Sequence, residues 1–147
     1  MTSYDASRAC NGTGPTPALG WCSYYTGANS GRAGQSVLIA TDVCRLPGQS
    51  AAQLISDNGQ QAEFSVGMKA EPDVWTWSHG RKFTSSGTSI TVPPGECVEW
   101  FVTWQVVDDS GRPLPAGTYD LNATPSDPPK GEASADVVNP QKFTVTN

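Results

Sequence analysis

The stretch ITVPPGECVEWFVTWQVV, residues 90–107, holds the strongest secondary-structure signal in the chain. From residue 98 to residue 106 its side chains fall into two alternating sets. One set is apolar throughout and consists of Val98, Trp100, Val102, Trp104 and Val106. The other set is mostly polar and consists of Glu99, Phe101, Thr103 and Gln105. Because successive side chains of a strand point to opposite faces, the alternation predicts a β-strand whose valines and tryptophans face a core.

The sequence on either side of this strand predicts further strands separated by turns. Turn-forming segments rich in proline, glycine and aspartate stand at residues 93–96 and 108–113, and neither can continue a strand. Other strands are predicted at residues 36–44, 51–56, 62–68, 74–83 and 118–123, and a last strand at residues 137–138 and 142–146. Asn58-Gly59 predicts a hairpin turn, because this pair accepts positive φ. With 15 glycines, 12 prolines and no helical pattern, the chain is predicted to be all-β.

Composition narrows the range of partners. A chain of 147 residues fits one domain, and its net charge of −5 disfavours nucleic acid or an anionic membrane as a partner. No apolar run approaches the roughly 20 residues that a membrane-spanning helix needs.

Several tryptophan, glycine and proline positions follow an order that resembles a known family. These positions are Trp75-x-Trp77-Ser78-x-Gly80-x-x-Phe83, Pro94-Gly95-Glu96, Trp104 and Leu114-Pro115-x-Gly117-Thr118-Tyr119. The order is similar to that of the BsuPI family of bacterial intracellular proteinase inhibitors. The resemblance implies an immunoglobulin-like antiparallel β-sandwich of seven or eight strands, with a protease as partner. The matching positions are expected to be mainly structural, and they are Trp75, Trp77, Gly80, Phe83, Gly95, Trp104, Gly117 and Tyr119.

The first 35 residues differ in composition from the rest and are predicted to form a separate part. We expect residues 1–35 to be a disulfide-closed N-terminal segment or a linker, and residues 36–147 to be the sandwich. The aromatic residues Trp21, Tyr24 and Tyr25 are a candidate interaction surface. The alternative is that they cover one end of the sandwich.

Four cysteines in an acidic, loop-rich chain predict two disulfides. No two of them have the spacing of a zinc knuckle. We predict the pairs Cys10–Cys22, within one Gly- and Pro-rich loop, and Cys44–Cys97, between two neighbouring strands of the sandwich. The alternation places Cys97 on the face of Glu99, outside the core. Disulfides in turn predict an extracytoplasmic location, as a secreted protein or an anchored ectodomain.

A search for catalytic chemistry finds no known motif, and no catalytic residue, metal or cofactor is predicted. His79 is the only histidine, and it follows Ser78 directly. If both lie on a strand, they point to opposite faces and cannot form a nucleophile–base pair. Acidic residues such as Asp108 and Asp109 occur in predicted turns, where aspartate is a common turn former.

The sequence therefore predicts a non-catalytic protein-interaction module, with proteinase inhibition as the function that the resemblance implies. The alternative is a module that binds carbohydrate or a cell-wall glycan through exposed tryptophans. Five tryptophans are present, but Trp100 and Trp104 share the face of the valines, as core residues do.

Overall fold

The computed structural model describes residues 1–10, 20–125 and 141–147, and these residues form eleven β-strands. The strands are β1 Thr2–Ser3, β2 Trp21–Tyr25, β3 Ser30–Arg32, β4 Val37–Arg45, β5 Ala52–Ser56, β6 Ala62–Gly67, β7 Asp73–Thr76, β8 Thr88–Val92, β9 Glu96–Trp104, β10 Gly117–Pro125 and β11 Gln141–Thr146. The predicted all-β sandwich is confirmed, and residues 137–138 of the predicted last strand lie outside the described residues. The count exceeds seven or eight because short edge strands such as β1 and β3 carry no periodic signal.

Three sheets make up the two layers of the sandwich. The first layer is a four-stranded sheet with the order β1-β9-β4-β2. The second layer combines a five-stranded sheet, in the order β3-β11-β10-β6-β7, with a two-stranded sheet of β5 and β8. Most pairs are antiparallel, but β3 pairs with β11 in parallel.

The core lies between these layers, where the inner faces of the strands meet. Trp104, predicted to be a core residue, is 2% exposed, and its ring lies 5.2 Å from the rings of both Trp75 and Phe143. Its indole Nε1–H donates to the carbonyl of Val107 at 3.1 Å, so the buried polar group is satisfied. A second, smaller cluster packs Val43, Leu54 and Val92 under the two-stranded sheet.

The long strand predicted through Val106 ends two residues early, at Trp104. Val106 has a φ of 54°, an uncommon value for a β-branched residue, yet it is fully buried. The chain thus turns at Val106 while keeping this side chain in the core.

One predicted strand connection and the length of one predicted strand are wrong. β5 pairs with β8 rather than with β6, so Asn58-Gly59 leads from one sheet to another instead of closing a hairpin. Gly59 is needed for a close approach, since a Cβ there would lie 2.6 Å from Thr84 Oγ1. The strand predicted over residues 74–83 is only Asp73–Thr76, because a hydrogen-bonded turn follows it.

The start of β10 contains a tyrosine corner of the kind found in sandwich domains. The Tyr119 hydroxyl donates to the carbonyl of Pro115 at 2.7 Å, and the ring is 3% exposed. Burial raises the pKa of the Tyr119 hydroxyl. The Leu-Pro-x-Gly-Thr-Tyr motif therefore fixes the entry of this strand.

Both predicted disulfides, Cys10–Cys22 and Cys44–Cys97, are present. Cys22, Cys44 and Cys97 occupy directly opposite positions on β2, β4 and β9, so they form one row across the four-stranded sheet. As the alternation predicts, this row lies outside the core, in a separate buried cluster with Tyr24. Tyr4, Cys10 and Leu46 pack against the cluster from above the sheet.

The first 35 residues contribute strands to both layers. β1 pairs with β9, β2 with β4, and β3 with β11. The division of the chain at residue 35 stays a prediction, now beside the finding that strands from both sides of it share sheets.

Candidate functional site

Two neighbouring features of the described residues could meet a partner protein. One is a loop after β7, residues 77–87, which we call the Trp77 loop. The other is a groove along one edge of β9. Both lie near the aromatic positions Trp75, Trp77 and Phe83 of the sequence motif.

The Trp77 loop begins in a turn that backbone hydrogen bonds define. The amide of Trp77 donates to the carbonyl of Phe64 at 2.8 Å, and the amide of Ser78 donates to Glu63 Oε1 at 3.1 Å. Gly80 has a φ of 74°, which favours glycine and explains why the motif contains it. These contacts attach the start of the loop to β6.

Aromatic stacking holds the middle of the loop. The ring of Trp77 lies 6.3 Å from that of Phe64 and 5.6 Å from that of Phe83. The guanidinium of Arg81 lies 4.6 Å from the centre of the Trp77 ring, and its Nε donates to the carbonyl of Trp77 at 2.8 Å. Such cation–π and ring contacts are worth about 0.5–1.5 kcal/mol each.

A backbone bond fixes the far side of the loop, where the amide of Gly59 donates to the carbonyl of Thr84 at 2.9 Å. Lys82 lies between the anchors at Arg81 and Phe83, and its side chain is exposed. The loop therefore presents a basic residue from a backbone that is held on both sides.

Ser78 and His79 were predicted to lie on a strand, but they lie in this turn. His79 is largely exposed, and its Nδ1 lies 3.8 Å from Asp109 Oδ2. Asp109 also accepts a hydrogen bond from the amide of Thr76. His79 thus connects the loop to the turn at residues 108–112.

That turn confirms the role predicted for the aspartates. Asp108 Oδ1 accepts hydrogen bonds from the amides of Ser110 and Arg112 at 2.8 and 2.9 Å.

The acidic side chains near this turn affect the pKa of Asp73. Burial, followed by the nearby charges of Asp109 and Glu63, raises the pKa of Asp73, although a hydrogen bond with Ser65 opposes the rise.

The groove follows from an incomplete pairing of β9. One edge of β9 pairs with β4 from Cys97 to Trp104. Among the described strands, only β1 pairs with the other edge, where Thr2 and Ser3 lie opposite Cys97 and Glu96. Over residues 98–104, no strand in the described part of the chain covers this edge.

Two pockets lie along this free edge. One, of about 170 Å³, is bordered by the consecutive residues Trp100, Phe101 and Val102 of β9. Because these side chains alternate between faces, a pocket that touches all three lies at the strand edge. The other, of about 310 Å³, is bordered by Val98 and Glu99. We call the two pockets together the β9 groove.

The walls of the β9 groove come from both layers. Gln61, Phe64 and Trp77 form the wall opposite Trp100 in the smaller pocket. Met1, Thr2 and Ile90 complete the larger pocket. Phe101 is 61% exposed and lies at the rim, so an aromatic side chain faces solvent beside a strand edge that no described strand covers. The sequence pattern had placed Phe101 correctly on the outer face, but it gave no sign that this edge is free.

The aromatic residues predicted as an interaction surface lie elsewhere and are buried. Trp21, Tyr24 and Tyr25 are 3%, 4% and 9% exposed. Trp21 packs under the two-stranded sheet, and Tyr24 packs in the disulfide cluster. This burial counts against the predicted contact surface. It agrees with the alternative, in which these residues cover the sandwich.

The tryptophans offer little support for sugar binding. Trp21 and Trp104 are buried, and Trp75, Trp77 and Trp100 are half-buried against the core. Among the described residues, no group of three or more histidine, cysteine or acidic side chains could hold a metal ion. No helix in the described residues is both long and apolar enough to cross a membrane.

The chain matches the BsuPI family of intracellular proteinase inhibitors over residues 46–129, which is 84 of its 147 residues. It belongs to that family. The matched region contains the Trp77 loop and the whole of β9, whereas Met1 and Thr2 of the β9 groove lie outside it. No curated protein matches the chain.

Solved structures of similar shape are distant in sequence. A β-glucosidase from Listeria innocua in complex with isofagomine matches at 7% identity and a TM-score of 0.47, over 86% of this chain and 16% of the enzyme. This chain therefore spans about a sixth of that enzyme. A CARDB domain from Pyrococcus furiosus, in complex with di-metal ions, matches at 15% identity and a TM-score of 0.45, over 99% and 98% of the two chains. A sporulation control protein from Bacillus subtilis matches at 13% identity and a TM-score of 0.40, over 86% and 49%. Such low scores support no inference about function.

The family membership corrects the predicted location. The family is described as intracellular, which contradicts the extracytoplasmic location that we inferred from the cysteines. The inference rested on the tendency of disulfides to persist in oxidising compartments, and that tendency has exceptions. The disulfides themselves are present.

Proposed function

We propose that this protein inhibits a protease without catalysing a reaction of its own, and that the Trp77 loop enters the cleft of the protease. The family supports the activity. The observation that carries the choice of loop is that Lys82 is exposed while the backbone on either side of it is anchored.

An anchored loop suits inhibition for a thermodynamic reason. A flexible loop loses conformational freedom when it binds, and this loss weakens binding by about 0.5–1.5 kcal/mol for each immobilised side chain. The contacts of Trp77, Arg81 and Phe83 remove much of this freedom before binding. Lys82 can then insert its ammonium group into a specificity pocket that carries a carboxylate, as the pocket of trypsin does.

The first test measures residual activity of trypsin, chymotrypsin and subtilisin with increasing amounts of the purified chain. We expect dose-dependent inhibition, strongest for the protease that prefers a basic side chain. Recovery of the intact chain after incubation would separate an inhibitor from a competing substrate. If all three proteases keep full activity at a large molar excess, the proposal is wrong for these protease classes.

The second test asks whether the loop is the contact. Lys82→Ala should weaken inhibition by about tenfold or more, as expected when a central contact residue is truncated. Lys69→Ala is a matched control, because Lys69 is also an exposed lysine but lies in the turn before β7. Equal inhibition by the two variants would leave inhibition standing and exclude the Trp77 loop as the contact.

A further inference from the structure

We propose that the β9 groove binds an extended segment of a partner protein, which adds to the four-stranded sheet as a further strand antiparallel to β9. This inference goes beyond inhibition by the Trp77 loop, because it requires neither a protease nor a cleft. It rests on the free edge of β9, on the pairing of β1 and on the shape of the groove.

The edge of β9 that the described strands leave uncovered carries little of the protection that usually prevents strand addition. Proteins protect exposed edges with charged side chains, above all lysine, with proline or with a β-bulge. β9 contains neither lysine nor proline, and its register with β4 continues without a bulge from Cys97 to Trp104. Its one charge over residues 98–104 is Glu99, at the end of this stretch next to β1. The backbone of residues 100–104 can therefore form a regular ladder with another strand.

β1 shows that this edge accepts a strand and in which direction. Thr2 and Ser3 run antiparallel to β9 and pair with Cys97 and Glu96. A partner segment in line with β1 would pair with residues 98–104, where the groove lies. Backbone hydrogen bonds would supply affinity, and pockets for alternate side chains would supply selectivity.

The smaller pocket defines the side chain that the partner should carry. Its volume of about 170 Å³ is close to that of an apolar cavity of about 150 Å³ that binds benzene. The rings of Phe64, Trp77 and Trp100 line it, so a leucine-sized to phenylalanine-sized side chain fits. The Trp100 Nε1–H already donates to Gln61 Oε1 at 3.4 Å, which leaves an apolar surface for the guest.

A single extended segment fits better than a second copy of this chain. β1 is itself a lone strand of two residues that pairs at this edge, so the edge already accepts an isolated extended segment. The pocket residues Trp77 and Ile90 lie opposite β9 and offer side-chain contacts to such a segment.

The test is a selection from a phage-displayed library of random nine-residue peptides, with the whole purified chain as bait. We expect enriched peptides with alternating apolar residues and leucine or phenylalanine at one position. The best peptide is then titrated into labelled protein. It should slow hydrogen exchange of backbone amides within residues 98–104 and shift their NMR signals.

Two variants, each with an exposed apolar residue replaced by lysine, distinguish strand pairing at the edge of β9 from non-specific hydrophobic binding. Phe101→Lys places a charge at the rim of the free edge, where lysine prevents strand pairing, and should weaken peptide binding about tenfold or more. Leu38→Lys is the control, since Leu38 is also exposed, at 49%, but lies on the inner strand β4. Its peptide binding should stay within about twofold of the original, which is within 0.4 kcal/mol.

Several outcomes would overturn the proposal. These are no enrichment over the Phe101→Lys bait, equal binding by both variants, or signal changes confined to residues outside the β9 groove. Concentration-dependent dimerisation that Phe101→Lys abolishes, measured by sedimentation without peptide binding, would instead assign the edge to a second copy. Because protease inhibition is assayed separately, the two proposals can fail independently.

Discussion

Strands β4 and β9 are neighbours in one sheet, but the chain treats them differently. β4 is buried at all but one of its positions, whereas β9 alternates between buried or half-buried and exposed residues. On β4, the sandwich core covers the inner face, and the N-terminal segment and the disulfides cover much of the outer face. Among the described residues, the outer face of β9 is covered near Cys97 and exposed at Glu99, Phe101 and Thr103, and no strand pairs with its edge beyond β1.

The difference shows that the outer face of the sheet is covered at one end and exposed to solvent at the other. At the cysteine end, covalent bonds and Tyr24 close the outer face. Towards Trp104, the inner face is packed, but Phe101 and Leu38 face solvent. An interaction surface is therefore expected beside a rigid core, which agrees with function carried by edges and loops on a stable scaffold.

The largest test of this contrast compares the two faces of β9. Trp104→Ala should lower the free energy of unfolding by about 3–5 kcal/mol, because it removes a buried ring that contacts Trp75 and Phe143. Phe101→Ala, on the outer face of the same strand, should cost less than about 1 kcal/mol. Urea unfolding of both variants measures the difference. Similar losses at the two positions would contradict the assignment of the inner and outer faces.

The next test concerns the covalent closure of the outer face. Replacing both members of Cys44–Cys97, which have a sequence separation of 53, should destabilise by about 4 kcal/mol in the chain-entropy model. Replacing both members of Cys10–Cys22, with a separation of 12 residues, should cost about 3 kcal/mol. Thermal and urea unfolding of the two double-alanine variants provide the values. If the local pair proves the more important, closure by the N-terminal segment dominates over cross-linking of the strands.

Much of the fold could be predicted because its signals are local. The alternation from Val98 to Trp104 defines the faces of β9, and the outward position of Cys97 follows from it. The tyrosine corner could be predicted from a short motif, since the motif satisfies its own backbone. The turn at Gly80 was missed, because residues 74–83 were predicted to form one strand. The family resemblance, carried by those motifs, is confirmed over residues 46–129.

The rest depends on pairing between distant segments, which a local pattern does not encode. Asn58-Gly59 looks like a hairpin turn, but the partner of β5 is β8, about 35 residues further along the chain. Trp21 and Tyr24 have the composition of a contact surface, but residues packed around them bury both. The free edge of β9 could not be predicted at all, because it follows from which strands are its neighbours.

The prediction with the smallest expected effect concerns Asp42, an acidic residue on the outer face of β4. Asp42 is 6% exposed and lies opposite Glu99 of β9. Burial is the main cause that raises the pKa of Asp42 to about 6, the hydrogen bond and charge of Glu99 raise it further, and Arg8 opposes the rise. Because the folded state binds the proton more tightly than the unfolded chain, the stabilisation is fully present below about pH 4. It is lost as the pH rises through about 6.

Asp42→Asn should therefore remove this loss and flatten the melting temperature between pH 4 and pH 7. At pH 7 we expect a gain of about 1–2 kcal/mol, after allowance for screening by solvent. The asparagine amide can still donate to Glu99, so the local hydrogen bond is kept. Glu71→Gln, which removes one negative charge at an exposed position, is the control for net charge and should keep the original slope. An unchanged slope in Asp42→Asn would show that solvent reaches this face, and that the closure of β4 is less complete than its burial indicates.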